Sequence, residues 1–70
     1  MPKPDPHAAR TLLERARARV DFDDPTATAR LATKALGKLD EASDDPEMRD
    51  LVVWAHLLLL WADVIEQRVG

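Results

Sequence analysis

The chain has 70 residues, no cysteine and a formal net charge of −3 at pH 7. A chain this short forms one domain and buries a limited share of its surface, so self-association is a common source of additional stability. The absence of cysteine excludes disulfides and thiolate metal sites, and the negative charge argues against nucleic acid as the main partner. We expect a flexible N-terminal tail at 1–5 and a single domain at 6–70. The absence of both a disulfide framework and a signal-peptide pattern favours a cytoplasmic protein.

Three Asp-Pro pairs divide the sequence, beginning at Asp5, Asp24 and Asp45. An aspartate at the N-cap accepts hydrogen bonds from free backbone N–H groups, and proline is favoured at the first helical position. Three such starts predict an all-α domain with helices at about 6–20, 25–42 and 46–68. Because the intervening loops are short, neighbouring helices are expected to pack as antiparallel hairpins.

The first two helices each carry one narrow, alanine-rich apolar stripe at helical spacing. The stripe residues are Ala8, Ala9, Leu12, Leu13, Ala16 and Val20 in the first helix, and Leu31, Ala32, Ala35, Leu36 and Leu39 in the second. Phe22 is the only apolar residue of the first loop, and we expect it to close the end of the core. Gly37 is expected on the solvent side of the second helix.

The third helix is predicted to be long and central, because residues 51–65 contain only two polar residues, His56 and Asp63. On a helical projection, Trp54, Leu58, Trp61 and Ile65 share one side, and Val53, Leu57, Leu60 and Val64 form a second, adjacent row. The two thin stripes of the other helices cover only one of these sides. A helix that is apolar almost all round is normally buried almost all round.

We therefore predict that the third helix packs against another chain, most simply a second copy about a two-fold axis. The predicted partner-binding residues are Val53, Trp54, Leu57, Leu60, Trp61 and Val64. The function expected from this surface is that of a small protein–protein interaction or oligomerisation module. The groove between helices also leaves open the binding of an amphipathic peptide or an apolar ligand.

A membrane span is not expected, because the apolar stretch is shorter than the roughly 20 residues required and includes His56 and Asp63. These two side chains are separated by roughly 10 Å along the helix axis, too far to hydrogen-bond or to share an ion. Two interpretations remain open. They lie at the solvent edge of the helix, or they form crossed contacts with the same residues of an antiparallel second copy.

The residue pattern predicts no enzyme activity, no cofactor and no metal site. Ser43 is the only serine, and there is no tyrosine and no glycine-rich phosphate loop. The acids Asp40, Glu41, Asp44, Asp45 and Glu47 lack the alternating ligands and turn glycine of a calcium loop. Helix capping and solubility account for them.

The alternative function is that of a small regulatory protein associated with nucleic acid through its arginine-rich first helix. The candidate residues are Arg10, Arg15, Arg17 and Arg19. At helical spacing they spread around more than half of the circumference, and no aromatic residue is interleaved for stacking on bases. Nucleic acid is therefore the less favoured partner.

The segment 12–36 resembles a tetratricopeptide-repeat hairpin. In that family the first helix carries a small residue against a neighbouring helix, here Ala16. The second helix carries small and apolar residues ending in an Ala-Leu pair, here Ala32, Ala35 and Leu36. The resemblance implies a helical scaffold for protein binding, with the third helix as the start of a following repeat or as a cap. A single repeat cannot bury its own faces, which agrees with self-association.

Overall fold

A computed structural model describes residues 3–69, and side chains as far as residue 68. It contains three α-helices, α1 at Pro6–Val20, α2 at Pro25–Leu36 and α3 at Pro46–Val69, and no strand within the described residues. The predicted all-α class and the three helices are confirmed. The expected tail at 1–5 lies partly outside the described residues, as does residue 70.

Each predicted aspartate caps the helix that it precedes. The Oδ1 atoms of Asp5, Asp24 and Asp45 accept hydrogen bonds at 3.0 Å from the backbone N–H groups of Ala8, Ala27 and Glu47. These bonds satisfy N–H groups that have no partner within the first turn of a helix. The helix starts are therefore encoded locally, by single Asp-Pro pairs.

The second helix is shorter than predicted, ending at Leu36 rather than near residue 42. The sequence had indicated that Gly37 lies on the surface within the second helix. In the structure Gly37 is instead the C-cap of α2. The backbone N–H of Gly37 donates to the carbonyl of Thr33 at 3.1 Å, and the next two N–H groups donate across tighter, three-residue turns. This tightening ends the helix.

The linker at 37–45 is held by side chains that compete with helical hydrogen bonding. The Asp40 carboxylate accepts from the N–H of Ala42 at 3.0 Å, and the Ser43 hydroxyl accepts from the N–H of Asp45 at 3.1 Å. Short polar side chains offer the backbone such partners outside a helix. The second loop is consequently longer than predicted.

Contacts at the helix ends define the direction of each helix. The N–H of Asp5 donates to the carbonyl of Lys38 at 2.7 Å, so the start of α1 lies beside the end of α2. An ion pair of 3.3 Å joins Arg10 to Glu47, placing the start of α3 at the same end of the molecule. Thus α2 runs opposite to both α1 and α3, and it packs against both.

The core is small and consists mainly of alanine. Its buried residues are Ala9, Leu13, Ala16, Ala32, Ala35, Leu51, Ala55 and Leu58. Every predicted stripe residue of α1 and α2 is buried or half-buried. Because alanine side chains are short, the helix backbones approach closely, and Thr28 of α2 is fully buried where α1 and α2 meet.

The prediction that Phe22 closes the end of the core is wrong, since its side chain is 74% exposed. After α1, the N–H of Asp24 donates to Arg19 and that of Asp23 to Val20, while Asp23 adopts a positive φ of 53°. This is a Schellman turn, which continues the winding of the helix before the chain reverses. The continued winding places Phe22 on the side of α1 away from Leu13.

Candidate interaction surface

The third helix presents one apolar face to the core and a second apolar face to the outside. The buried residues are Met48, Leu51, Ala55, Leu58 and Ala62, spaced alternately by three and four positions. Trp54, Trp61 and Ile65 were predicted to share one side with Leu58, and the two tryptophans to bind either the core or a partner; all three are only half-buried. The core therefore meets α3 along a line of smaller residues than the helical projection indicated.

The outward face carries Val53, Leu57, Leu60 and Val64, here called the exposed row. Their side chains are 56%, 59%, 60% and 41% exposed, respectively. At 100° per residue the four positions fall within a narrow arc opposite the buried face. Neither α1 nor α2 covers this row. This absence of cover was predicted from the thin apolar stripes of those two helices.

The two flanks of the exposed row differ in chemistry. On one flank lie Trp54 and Trp61, half-buried, with Trp54 packed against the core. On the other flank lie His56 and Asp63, both exposed. The face thus combines aliphatic side chains with an aromatic edge and a polar edge, a composition typical of protein interfaces.

Both polar residues of the helix have partners within the same chain. The Nε2 atom of His56 lies 2.8 Å from Oε1 of Glu41 in the second loop. The amide of Gln67 donates to Oδ2 of Asp63 at 3.1 Å. His56 and Asp63 therefore occupy the solvent edge of the single chain, and both border the exposed row.

The arginines of α1 separate into two groups. Arg10 and Arg17 form ion pairs with Glu47 and Asp21, at 3.3 and 3.0 Å. Arg15 and Arg19 instead line a cavity between α1 and α2. Arg30 and Lys34 of α2 line the same cavity. The sequence pattern of each single helix did not predict that these four cations lie together.

Among the described residues, no group of three or more histidine, aspartate or glutamate side chains could hold a metal ion. Within the same range, no helix combines the length and apolarity needed to cross a membrane. Three of the acids considered for calcium binding have other partners: Glu41 contacts His56, Glu47 contacts Arg10, and Asp45 caps α3.

Comparisons of this chain with protein-family models, with curated proteins and with solved structures found no match. The resemblance to a tetratricopeptide-repeat hairpin therefore stays a prediction.

Proposed function

We propose that this chain is a small helical interaction module that self-associates through the exposed row of α3. One observation carries the proposal: Val53, Leu57, Leu60 and Val64 form a single row on one helix face, each between 41% and 60% exposed. Scattered apolar residues are ordinary on a protein surface, whereas a contiguous patch of large aliphatic side chains indicates an interaction site.

The energetic scale supports this interpretation. Full burial of one large aliphatic side chain contributes roughly 1.5–3 kcal/mol. Four partly exposed residues therefore represent several kcal/mol, against about 5–15 kcal/mol for the total stability of a typical domain. Because the core of this chain is small, covering these four residues adds a proportionately larger share to its stability.

The spacing of the exposed row favours a second copy of the chain as the partner. Successive residues are separated by four, three and four positions, which is the pattern of a two-helix coiled-coil seam. The order Val-Leu-Leu-Val is also the same in both directions. In an antiparallel pair, Val53 would face Val64 of the second copy, and Leu57 would face its Leu60.

The polar flank suits the same arrangement. With the two-fold axis between residues 58 and 59, His56 and Asp63 of the second copy differ in height by about 3 Å along the helix axes. The dimer would thus contain two symmetric contacts, each between His56 of one copy and Asp63 of the other. Glu41, which already contacts His56 within the chain, would lie beside this contact.

The α1–α2 pair supports a further proposal, that of a hairpin similar to a tetratricopeptide repeat. Ala16, Ala32 and Ala35, the positions that carry the resemblance, are all fully buried between helices. We also propose a cytoplasmic setting, for which the lack of cysteine is the supporting feature.

Molar mass in solution tests self-association. Light scattering coupled to size exclusion, at several protein concentrations, is expected to show a dimer or higher oligomer for the natural sequence and a monomer for Leu57→Glu. The charge introduced by Leu57→Glu would be buried without a partner in the interface, which is costly.

Phe22→Glu is the matched control, because it replaces an exposed apolar residue by the same acid away from α3. It should leave the molar mass of the oligomer unchanged. A monomeric natural sequence at every concentration, with a normal helical circular dichroism spectrum, would overturn the proposal. Equal loss of association in both variants would overturn the assignment to the exposed row.

A further inference from the structure

A cavity of about 570 Å³ lies between α1 and α2, on a surface distinct from the exposed row. Four cations line it: Arg15 and Arg19 from α1, and Arg30 and Lys34 from α2. Phe22 also lines it, and the remaining lining residues are Ala18, Ala27 and Leu31. No acidic side chain among the described residues contributes to it. We refer to this feature as the cationic groove.

The four cations have no ion-pair partner among the described residues. The ion pairs of residues 3–68 join Arg10 to Glu47 and Arg17 to Asp21, and His56 contacts Glu41; none of these contacts involves the groove. Within each helix the groove cations are four positions apart, a spacing at which like charges repel each other. An anion in the groove would relieve this repulsion on both walls.

We propose that the cationic groove binds a short segment of single-stranded nucleic acid, whose phosphates contact the four cations and one of whose bases stacks on Phe22. Three of the four cations are arginines, whose planar guanidinium groups match phosphate geometry. Phe22 is 74% exposed and takes no part in the core, so its ring is available for stacking. A positive groove combined with an accessible aromatic ring is typical of single-strand binding.

The structure answers two of the three objections that the sequence raised, the spread of the arginines and the missing aromatic residue. The arginines of α1 do not share one face, yet two of them join Arg30 and Lys34 of α2 on one groove. The missing aromatic is supplied by the loop residue Phe22. An acidic peptide could also neutralise the cations, but it would give the exposed ring no specific role, so the observations favour nucleic acid.

The distribution of acids limits the length of the ligand but leaves the groove itself basic. The acidic loop at 40–45 follows the end of α2, whereas Phe22 lies at the other end of the α1–α2 hairpin. Asp21 and Asp23 flank Phe22 and would repel a long strand. The groove cations span about one helical turn on each wall, from Arg15 to Arg19 and from Arg30 to Lys34, a length that suits a few nucleotides.

Fluorescence anisotropy with labelled oligo-dT and oligo-rU of about 6 nucleotides tests this proposal on the full chain. With four phosphate contacts, we expect the logarithm of affinity to fall with the logarithm of salt concentration at a slope of about −2.8. Arg15→Gln with Arg19→Gln should reduce this slope to about −1.4. Phe22→Ala should weaken binding by about 5- to 150-fold.

Arg10→Gln with Arg49→Gln is the matched control, because it removes the same number of positive charges outside the groove. This variant should bind with nearly the natural affinity and slope. Equal losses in the two double variants would show general electrostatic attraction and overturn the proposal. So would absence of binding at about 50 mM salt, or unchanged affinity after Phe22→Ala.

Two further comparisons test which class of ligand binds and which surface of the protein binds it. A duplex of equal length, or an oligo-glutamate peptide, that binds as tightly as the single strand would overturn the assignment to single-stranded nucleic acid. The measurement repeated with Leu57→Glu should give the same affinity, because the exposed row lies on α3 and the groove between α1 and α2. Self-association and nucleic-acid binding can thus fail independently.

Discussion

The hydroxyl oxygen of Thr28 in α2 lies 3.3 Å from the carbonyl oxygen of Ala16 in α1, where the two helices meet. The same hydroxyl lies 2.9 Å from the carbonyl of Asp24, the N-cap residue of α2. Its proton is shared between an acceptor in its own helix and one in the neighbouring helix. Thr28 is fully buried, so this contact shows how closely the two backbones approach.

Replacing Thr28 by valine should lower the free energy of unfolding by about 1 kcal/mol, since the shape is kept and only the hydrogen bond is lost. The Asp24 carbonyl retains the backbone bond from the N–H of residue 28. Thr28→Leu should cost more, about 1–3 kcal/mol, because the tight contact has no room for the longer side chain.

Urea denaturation measures both changes as shifts in the midpoint at constant slope. If leucine proves as stable as valine at this position, the close approach of α1 and α2 is not present in solution.

The cap of α2 gives a second prediction. Asp24→Ala removes the acceptor for the N–H of Ala27 and should cost about 0.5–2 kcal/mol. Asp24→Asn keeps an acceptor oxygen of similar reach and should cost clearly less. Thermal unfolding followed by circular dichroism compares the two variants, and equal destabilisation would show that the side-chain oxygen does not cap the helix.

The helix starts could be predicted from the sequence because each depends on one Asp-Pro pair and the N–H groups that follow it. The end of α2 could not, because the residues after Gly37 remain compatible with a helix. Side-chain bonds to Asp40 and Ser43 decide the outcome. Such bonds compete with helical ones at similar free energy, and composition alone does not show which will form.

The surfaces of α3 show a second limit of sequence analysis. The uncovered row was predicted by comparing the wide apolar arc of α3 with the thin stripes of α1 and α2. The exact core side was not, because the apolar arc of α3 is wide enough to offer the core more than the two rows that the helical projection showed. The line that is buried contains Ala55 and Ala62, whose short side chains allow close backbone packing. The cationic groove depends on the relative rotation of two helices, which no single helical pattern specifies.

Leu57 and Leu58 are neighbours in sequence but should respond differently to alanine. Leu58 is 6% exposed and belongs to the core, so Leu58→Ala should cost about 2–5 kcal/mol. Leu57 is 59% exposed, so Leu57→Ala should change the stability of the dissociated chain by about 0.5 kcal/mol or less while weakening association.

Denaturation at low and high protein concentration separates the two effects, because association adds stability that depends on concentration. The proposed role of the exposed row is contradicted if Leu57→Ala leaves both the concentration dependence and the molar mass unchanged.

The antiparallel pairing of α3 can be tested with disulfides, because the natural chain has no cysteine. A disulfide requires Cα atoms within about 7 Å of each other. In the proposed dimer, residue 53 of one copy faces residue 64 of the other, whereas the two residues 53 are about 16 Å apart along the axes. Mixing Val53→Cys with Val64→Cys under mild oxidation should therefore give a mixed covalent dimer on non-reducing gels, and Val53→Cys alone should remain uncrosslinked. A parallel pair would give the reverse, with efficient crosslinking of Val53→Cys to itself.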